Sequence, residues 1–164
     1  MIRKLVAYFS HSGNTREIAG LIRSEVGGDE FEIQSEKPYP TDYDTMVKQA
    51  KQELESDLRP ILKTKMDDAG AYDTVFIGYP NWWGTIPRPV AAFLTEYDLS
   101  GKTVVPFCTH EGSRLGQSVR DIRKLCPGSN VLEGLAVRGG EVRKARQDIA
   151  RWIREIGVKE QITQ

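Results

Sequence analysis

The chain has 164 residues and a mass of 18.5 kDa, enough for one domain with a two-sided core. Hydrophobic residues at 39% and charged residues at 28% are typical of a globular protein rather than of a disordered or membrane chain. Lysine plus arginine equals aspartate plus glutamate at 23 each, so the net charge gives no sign of a nucleic-acid or membrane partner. The first apolar run, LVAYF, is too short for a signal peptide or a membrane span, and the two cysteines form no metal-type or redox pair. We therefore expect a single cytoplasmic domain over residues 1–164.

The N-terminal half of the sequence predicts two strand–helix pairs. The run KLVAYFS predicts a buried strand, and isoleucine and leucine recur at helical spacing after it. EFEIQS predicts a shorter strand, and the segment from Tyr43 to Leu58 carries a modest apolar stripe of helical period. Between these two, Tyr39 and Tyr43 are expected near the ligand-binding edge of a sheet, where they either wall a substrate pocket or cover a helix end.

The C-terminal half predicts three more pairs. TVFIGYP and KTVVPFCTH predict buried strands, and Pro87 and Pro89 fit the start of the helix between them. VLEGLAV predicts the fifth strand, and a net basic helix from Glu141 to Ile156 follows it. This alternation predicts an α/β fold, a doubly wound five-stranded parallel sheet with helices on both faces. Such sheets bind ligands at the carboxyl ends of their strands.

The loop SHSGNT follows the first predicted strand and leads directly into a helix. It offers four polar side chains: Ser10, Ser12, Asn14 and Thr15. Gly13 lets the backbone approach a ligand closely, and the positive end of the helix dipole lies there. The loop has no Walker lysine and no G-x-G-x-x-G spacing, so it fits a phosphate monoester better than a dinucleotide pyrophosphate. Two simpler interpretations stay open: Ser12 or Asn14 only caps the helix, and His11 faces solvent.

Two further loops carry unusual residues at the same predicted edge. PNWWGT places two tryptophans after the third strand, where they either plug the core or form a platform for a flat ring. THEGSRLG follows the fourth strand, and Gly112 and Gly116 allow close backbone approach there. Thr109 and Ser113 add hydroxyls to this third loop, although Ser113 also fits a helix cap. For the two tryptophans of PNWWGT, the phosphate loop at the same edge of the sheet favours the ring platform over the core plug.

These three loops, in this order, resemble those of the flavodoxin family, which binds flavin mononucleotide (FMN). The resemblance covers roughly Ile2 to Ile156, and SxSGNT is its most specific part. It implies strand order 2-1-3-4-5, FMN as cofactor, and electron transfer to a partner protein or small acceptor. The cofactor-binding residues that it implies are Ser10, His11, Ser12, Gly13, Asn14 and Thr15 at the phosphate, Pro80, Asn81, Trp82, Trp83 and Gly84 at the ring, and Thr109, His110, Glu111, Gly112, Ser113 and Gly116 at the ring's far edge.

Within this resemblance, Trp83 is the first candidate to stack on the isoalloxazine ring, and Trp82 is the alternative. In such proteins the peptide after the stacking residue can turn over, and the resemblance implies that the Gly84 carbonyl then accepts a hydrogen bond from the flavin nitrogen that is protonated on one-electron reduction. Flavodoxins that shuttle electrons are typically strongly acidic, whereas this chain is neutral. A neutral chain weakens the electrostatic case for docking on a basic partner. An FMN-dependent reductase of quinones or other small acceptors therefore stays open.

One rival belongs to a different class of enzyme. Cys108 and Arg114 have the Cys-x5-Arg spacing of cysteine phosphatases, in which a thiolate attacks phosphorus. Glu111 would place a negative charge where the phosphate dianion must sit, and Cys108 lies in an apolar strand, so a buried thiol is the default and the phosphatase a remote alternative. His11 and His110 lie in loops without an evident carboxylate partner. The sequence thus predicts no catalytic side-chain pair and no metal site, and it leaves the redox chemistry to the cofactor.

Overall fold

The computed structural model describes residues 3–157. In chain order its strands and helices are β1 (Lys4–Tyr8), α1 (Asn14–Val26), β2 (Asp29–Glu32), α2 (Tyr43–Glu55), a 3-10 turn (Ala69–Ala71), β3 (Thr74–Pro80), α3 (Arg88–Glu96), β4 (Thr103–His110), α4 (Ser118–Leu125), β5 (Asn130–Val131), β6 (Leu135–Arg138), a second 3-10 turn (Gly139–Lys144) and α5 (Arg146–Ile156).

The strands form one sheet in the order β2-β1-β3-β4-β5, and β6 also pairs with β4. Every pairing between these named strands is parallel. The predicted α/β fold and strand order are therefore confirmed. Because β1 lies between β2 and β3, the chain changes its winding direction at β1, and a crevice opens between the carboxyl ends of β1 and β3.

The fifth predicted strand is two short strands rather than one. β5 pairs with Thr103 and Val104 at the start of β4, and β6 pairs with the segment from Phe107 to His110 at its end. Pro106 lies between these two paired segments and has no N–H to give to the ladder. The prediction of one continuous strand over VLEGLAV is wrong because the neighbouring strand carries this proline.

Alternate residues of the strands pack under different helical layers. Leu5 and Ala7 of β1 belong to the apolar cluster that contains Phe93 of α3. Val6 belongs to the cluster on the other face, which contains Ile18 of α1. Burial on both faces explains why the strands are continuous apolar runs in the sequence. The two packed layers hold the strand ends, and hence the three loops, in fixed positions.

The helices confirm most of the predicted segments but shorten two of them. The side chain of Asp42 accepts a hydrogen bond from the Thr45 amide at 2.9 Å and so caps α2, which begins at Tyr43 and ends at Glu55 rather than at Leu58. The last predicted helix divides into the second 3-10 turn and α5. None of the helices in residues 3–157 combines the length and the apolar composition that a membrane-spanning segment needs.

Candidate cofactor site

The loops after β1, β3 and β4 meet at the carboxyl edge of the sheet around a cavity of about 660 Å³. Most of the predicted site residues line it: His11, Ser12, Asn14, Pro80, Asn81, Trp82, Trp83, Gly84, Thr109, His110, Glu111 and Ser113. The other predicted residues lie in the same three loops but outside the cavity wall: Ser10, Gly13, Thr15, Gly112 and Gly116.

The first loop is held in shape by Ser10. Its Oγ accepts hydrogen bonds from the amides of Gly13 at 3.1 Å and Arg16 at 3.3 Å. Gly13 is the N-cap residue of α1, with φ of 100°, a conformation that suits glycine. The simpler interpretation, in which Ser12 or Asn14 caps this helix, is therefore wrong.

The start of α1 presents polar groups without partners. In residues 3–157, the amides of Ser12, Asn14 and Thr15 donate to no acceptor. The Ser12 side chain is exposed and makes no hydrogen bond there, whereas the buried Thr15 hydroxyl lies 2.8 Å from the hydroxyl of Thr109. Unpaired amides at the positive end of a helix dipole bind anions. This end of the cavity therefore fits a phosphate group.

The phosphate end of the cavity has little help from nearby cations. The Arg16 guanidinium is already paired with the Glu32 carboxylate at 2.5 Å. The Glu111 carboxylate and the Asn14 amide both lie so close to Gly139 that a Cβ there would collide with them. Gly139 was not predicted as part of the site, because its neighbours come from two distant loops. The groups available here to attract a phosphate are amides, hydroxyls and the helix dipole.

The second loop is a tight hairpin built on the two tryptophans. Trp82 and Thr85 exchange backbone hydrogen bonds of 3.1 and 3.3 Å. Trp83 and Gly84 between them have φ of 57° and 80°. Positive φ at both central residues is the pattern of a type I′ turn, which favours Asn-Gly. A bulky residue is strained in that conformation, and such strain is concentrated at functional sites.

Trp82 forms the back of the cavity. Its indole makes edge-on contacts with the rings of Phe9 at 5.3 Å, Tyr39 at 5.1 Å and His11 at 5.8 Å between centroids. The His11 Nε2 atom also lies 2.9 Å from the Pro40 carbonyl oxygen. The interpretation of His11 as a solvent-facing side chain is therefore wrong. Of the two alternatives for the tryptophans, the core plug describes Trp82.

Trp83 forms an open wall of the cavity and is 50% exposed. Its indole Nε1 donates a hydrogen bond to the Val47 carbonyl at 2.9 Å, and the Lys51 ammonium lies 5.2 Å from its ring centroid. Both contacts anchor the indole on α2. An exposed indole held in this way has a surface on which a flat ring could stack.

Helix α2 contributes a wall that the sequence did not predict in full. Four of its residues line the cavity: Tyr43, Met46, Val47 and Ala50. Tyr43 was one of the two tyrosines expected near this edge, and it is 71% exposed. Tyr39 instead packs behind Trp82 and donates a hydrogen bond to the Glu53 carboxylate at 2.5 Å. The other α2 residues belong to a helical apolar stripe, which predicts core packing equally well.

The role predicted for the Gly84 carbonyl requires its peptide to turn over. In the present conformation this carbonyl accepts a hydrogen bond from the Gln117 amide at 2.7 Å, and that bond would break when the peptide turns. The neighbouring Trp83 carbonyl accepts no hydrogen bond from residues 3–157. The Trp83 carbonyl is therefore a second candidate, beside that of Gly84, to accept a hydrogen bond from the flavin ring.

The third loop places a neutral imidazole at the cavity. His110 Nδ1 accepts a hydrogen bond from the Gly112 amide at 2.9 Å, which leaves the proton on Nε2. Burial, followed by the positive charges of Arg114 and Arg138, lowers the pKa of His110 below its usual value. His110 therefore presents an uncharged N–H near neutral pH.

The glycines of the third loop serve contacts within the protein. A Cβ on Gly116 would lie 2.5 Å from the Gly84 carbonyl oxygen, so this glycine allows the second and third loops to approach each other. Helix α4 begins at Ser118 with Gln117 as its N-cap residue, so the interpretation of Ser113 as a helix cap is wrong.

The buried thiol of Cys108 excludes the phosphatase alternative. Its Sγ donates a hydrogen bond to the Arg114 carbonyl at 3.3 Å, and burial raises the pKa of the thiol to about 12. A thiol with that pKa is protonated at neutral pH and is no nucleophile. Within residues 3–157, no group of three or more side chains could hold a metal ion.

A second groove, also of about 660 Å³, lies between α5 and the segment that joins β5 to β6. It is lined by Leu132, Leu135 and Trp152 together with the charged residues Asp148, Arg151 and Glu155. None of the three predicted loops reaches it. The two cavities therefore cannot be told apart by volume. The unpaired amides at the start of α1 and the indoles of Trp82 and Trp83 identify the first one as the candidate site.

Comparison with known proteins agrees with this geometry. The flavodoxin family model matches residues 3–156. A candidate flavoprotein from Bacteroides eggerthii is 37% identical, with a TM-score of 0.85 over 96% of this chain and 99% of that one. A flavoprotein from Lactobacillus acidophilus, solved in complex with FMN, is 26% identical, with a TM-score of 0.73 over 88% of this chain and 98% of that one. A search of curated proteins gives no significant match. With its fold, its loops and this match over nearly all its length, the chain belongs to the flavodoxin family.

Proposed function

We propose that this protein binds FMN and transfers electrons between redox partners. The observation that carries the proposal is the group of unpaired amides at the start of α1, which lies at one end of a cavity walled by two indoles. The Lactobacillus acidophilus relative, whose structure contains FMN, supports this cofactor. FMN, when bound, supplies the one- and two-electron chemistry, and the protein supplies binding, orientation and electrostatics.

The residues of the first loop would hold the phosphate. The unpaired amides of Ser12, Asn14 and Thr15 would donate hydrogen bonds to a terminal anion, and the Ser12 hydroxyl adds a further donor. Gly13 removes a side chain from the approach. Riboflavin lacks the phosphate and would gain nothing from these groups, so the loop selects FMN over riboflavin.

The second and third loops would hold the ring. Trp83 offers the exposed indole face, and Trp82 keeps water from the back of the cavity. The neutral His110 offers an N–H without a positive charge. An electron-rich indole beside the ring disfavours added negative charge there, which would keep the potential of the fully reduced cofactor low.

A second function, an FMN-dependent reductase of quinones or similar small acceptors, is favoured by one observation. The cavity extends beyond the three loops onto α2, where Met46, Val47 and Ala50 form an apolar wall beside the exposed Trp83. Pockets with apolar walls and few polar groups bind small molecules. The neutral charge of the chain agrees with an acceptor that needs no charged docking surface.

Anaerobic mixing with nicotinamide donors separates the two functions. A carrier leaves its flavin oxidised after prolonged incubation with NADH or NADPH and is reduced by a reductase protein. A reductase is bleached by one of the nicotinamides and then turns over a quinone many times. Rapid turnover of this kind would overturn the carrier proposal.

The visible absorption spectrum of the purified protein tests cofactor binding itself. We expect flavin bands, with FMN released on heating and identified by chromatography.

The two cysteines are both free and buried, which fits the reducing cytoplasm that we propose as the location.

A further inference from the structure

Asn81 connects the two loops that would hold the flavin ring. Its backbone amide donates to the Thr109 carbonyl at 2.9 Å, which extends the β3–β4 ladder by one residue. Its side-chain Nδ2 donates to the Arg114 carbonyl at 2.7 Å, and its Oδ1 accepts from the Gly84 amide at 2.9 Å. One side chain therefore bonds the second loop and the third loop at the same time.

This double contact requires an amide side chain. To bond both the Arg114 carbonyl, which also accepts from the Cys108 thiol, and the Gly84 amide, a side chain must donate and accept, and asparagine does both at this length. A carboxylate could still accept from Gly84, but it would face the Arg114 carbonyl oxygen without a proton to share.

Other contacts across the same junction depend on this geometry. The amide of Gln117, the residue directly after the third loop, donates to the Gly84 carbonyl at 2.7 Å, so Gly84 is bonded at both its N–H and its C=O. Gly116 leaves no room for a Cβ against that carbonyl. The Gly84 residue is thus held by Asn81 at its amide and by the third loop at its carbonyl. Displacing the third loop disturbs the bond at the carbonyl.

We propose that Asn81 is a positioning residue that makes the second and third loops one rigid wall of the flavin-ring site. The resemblance to flavodoxins implied that Asn81 binds the cofactor directly, but both functional ends of its side chain are used within the protein. The role at the ring rests on the proposed function, whereas the coupling of the loops is a property of the protein without cofactor.

Amide hydrogen exchange of the apoprotein, measured by NMR, tests the coupling. In Asn81→Ala we expect the Gly84 amide, which loses its acceptor, to exchange at least about tenfold faster. We expect the same for the Gln117 amide, although Asn81 does not contact it. Unchanged protection at Gln117 would overturn the proposal, because the loops would then be fixed independently.

The Asn81→Asp variant tests the bonds to Gly84 and to Arg114 separately. It also replaces the alanine variant in this experiment if that variant folds poorly. It keeps an acceptor for the Gly84 amide and loses the donor to Arg114. We expect Gly84 to keep its protection and Gln117 to lose it. Loss of protection at Gly84 alone would contradict the coupling. Asn130→Ala, at an exposed position in β5, is the matched control and should change neither amide.

Flavin titration then tests the role at the ring. In both Asn81 variants, affinities for FMN and for riboflavin should fall together by about tenfold, so that their ratio stays that of the wild type. A fall in FMN affinity alone, or no change in either, would overturn the positioning role. A wild-type protein that binds neither flavin would instead overturn the proposed function, while the exchange result would still decide the coupling.

Discussion

Ser12 and Thr15 are equivalent candidates in the sequence but differ in their contacts. The exposed Ser12 hydroxyl has no partner in residues 3–157, whereas Thr15 is buried against Thr109. In Ser12→Ala, one hydrogen bond to a charged phosphate is lost, worth about 1.5–3 kcal/mol. FMN affinity should fall roughly ten- to a hundredfold in a calorimetric titration, while riboflavin affinity stays the same. Ser24→Ala, an exposed serine further along α1, is the control, and equal weakening of both flavins would mean that Ser12 only shapes the loop.

Thr15 also has a structural role that can be measured without any flavin. In Thr15→Val, the buried hydroxyl of Thr109 loses its partner, so the free energy of unfolding of the apoprotein should fall by about 1–3 kcal/mol. Ser12→Ala should stay within about 0.5 kcal/mol of the wild type, because its hydroxyl is exposed. Urea unfolding of the two apoproteins makes the comparison. Equal stabilities would show that the bond between the two threonines contributes nothing.

At the scale of elements, the Trp83–Gly84 turn holds a bulky residue in a strained conformation and thereby exposes its indole. Asn-Gly is the favoured pair in a type I′ turn, so Trp83→Asn relieves strain of about 1–3 kcal/mol and offsets the loss of the Val47 and Lys51 contacts. We expect the free energy of unfolding of the apoprotein to change by less than about 1 kcal/mol. Affinity for both flavins should nevertheless fall at least about tenfold, because the platform is gone. Unchanged flavin affinity would leave Trp82 as the stacking residue.

The strands and most helices could be predicted because apolar periodicity and the proline and glycine positions are local signals. The break between β5 and β6 could not, because it depends on Pro106 in a neighbouring strand. At the site, residue types predicted the phosphate loop, yet the use of the Gly84 carbonyl by Gln117 depends on a contact between two loops far apart in sequence. The same holds for the apolar wall of α2, since a helical stripe predicts burial without telling what it faces.

For the whole molecule, the two buried thiols make the free energy of unfolding fall at alkaline pH. Burial raises the pKa of Cys108 from 9.0 to about 12 and that of Cys126 to about 11. Below pH 9 both thiols are protonated in the native and the unfolded chain, and their stabilising effect is complete. Above it, the unfolded chain loses protons that the native protein keeps, so the free energy of unfolding falls by about 1.4 kcal/mol per pH unit for each thiol.

Denaturant unfolding from pH 8 upward measures this dependence. In Cys108→Ala, one titrating group is absent, so the decline above pH 9 should be shallower than in the wild type even if the variant is less stable throughout. An identical slope in the two proteins would mean that Cys108 is accessible to solvent in the native state.

The central claim is that a lysine-free cradle at the start of α1 binds the phosphate of FMN beside an indole-walled ring site. Isothermal titration of the apoprotein with FMN and with riboflavin tests it most directly. We expect one FMN per chain, bound at least about a hundredfold more tightly than riboflavin, because several charge-assisted hydrogen bonds distinguish the two ligands. Equal affinity for the two flavins, or no binding of either, would contradict it.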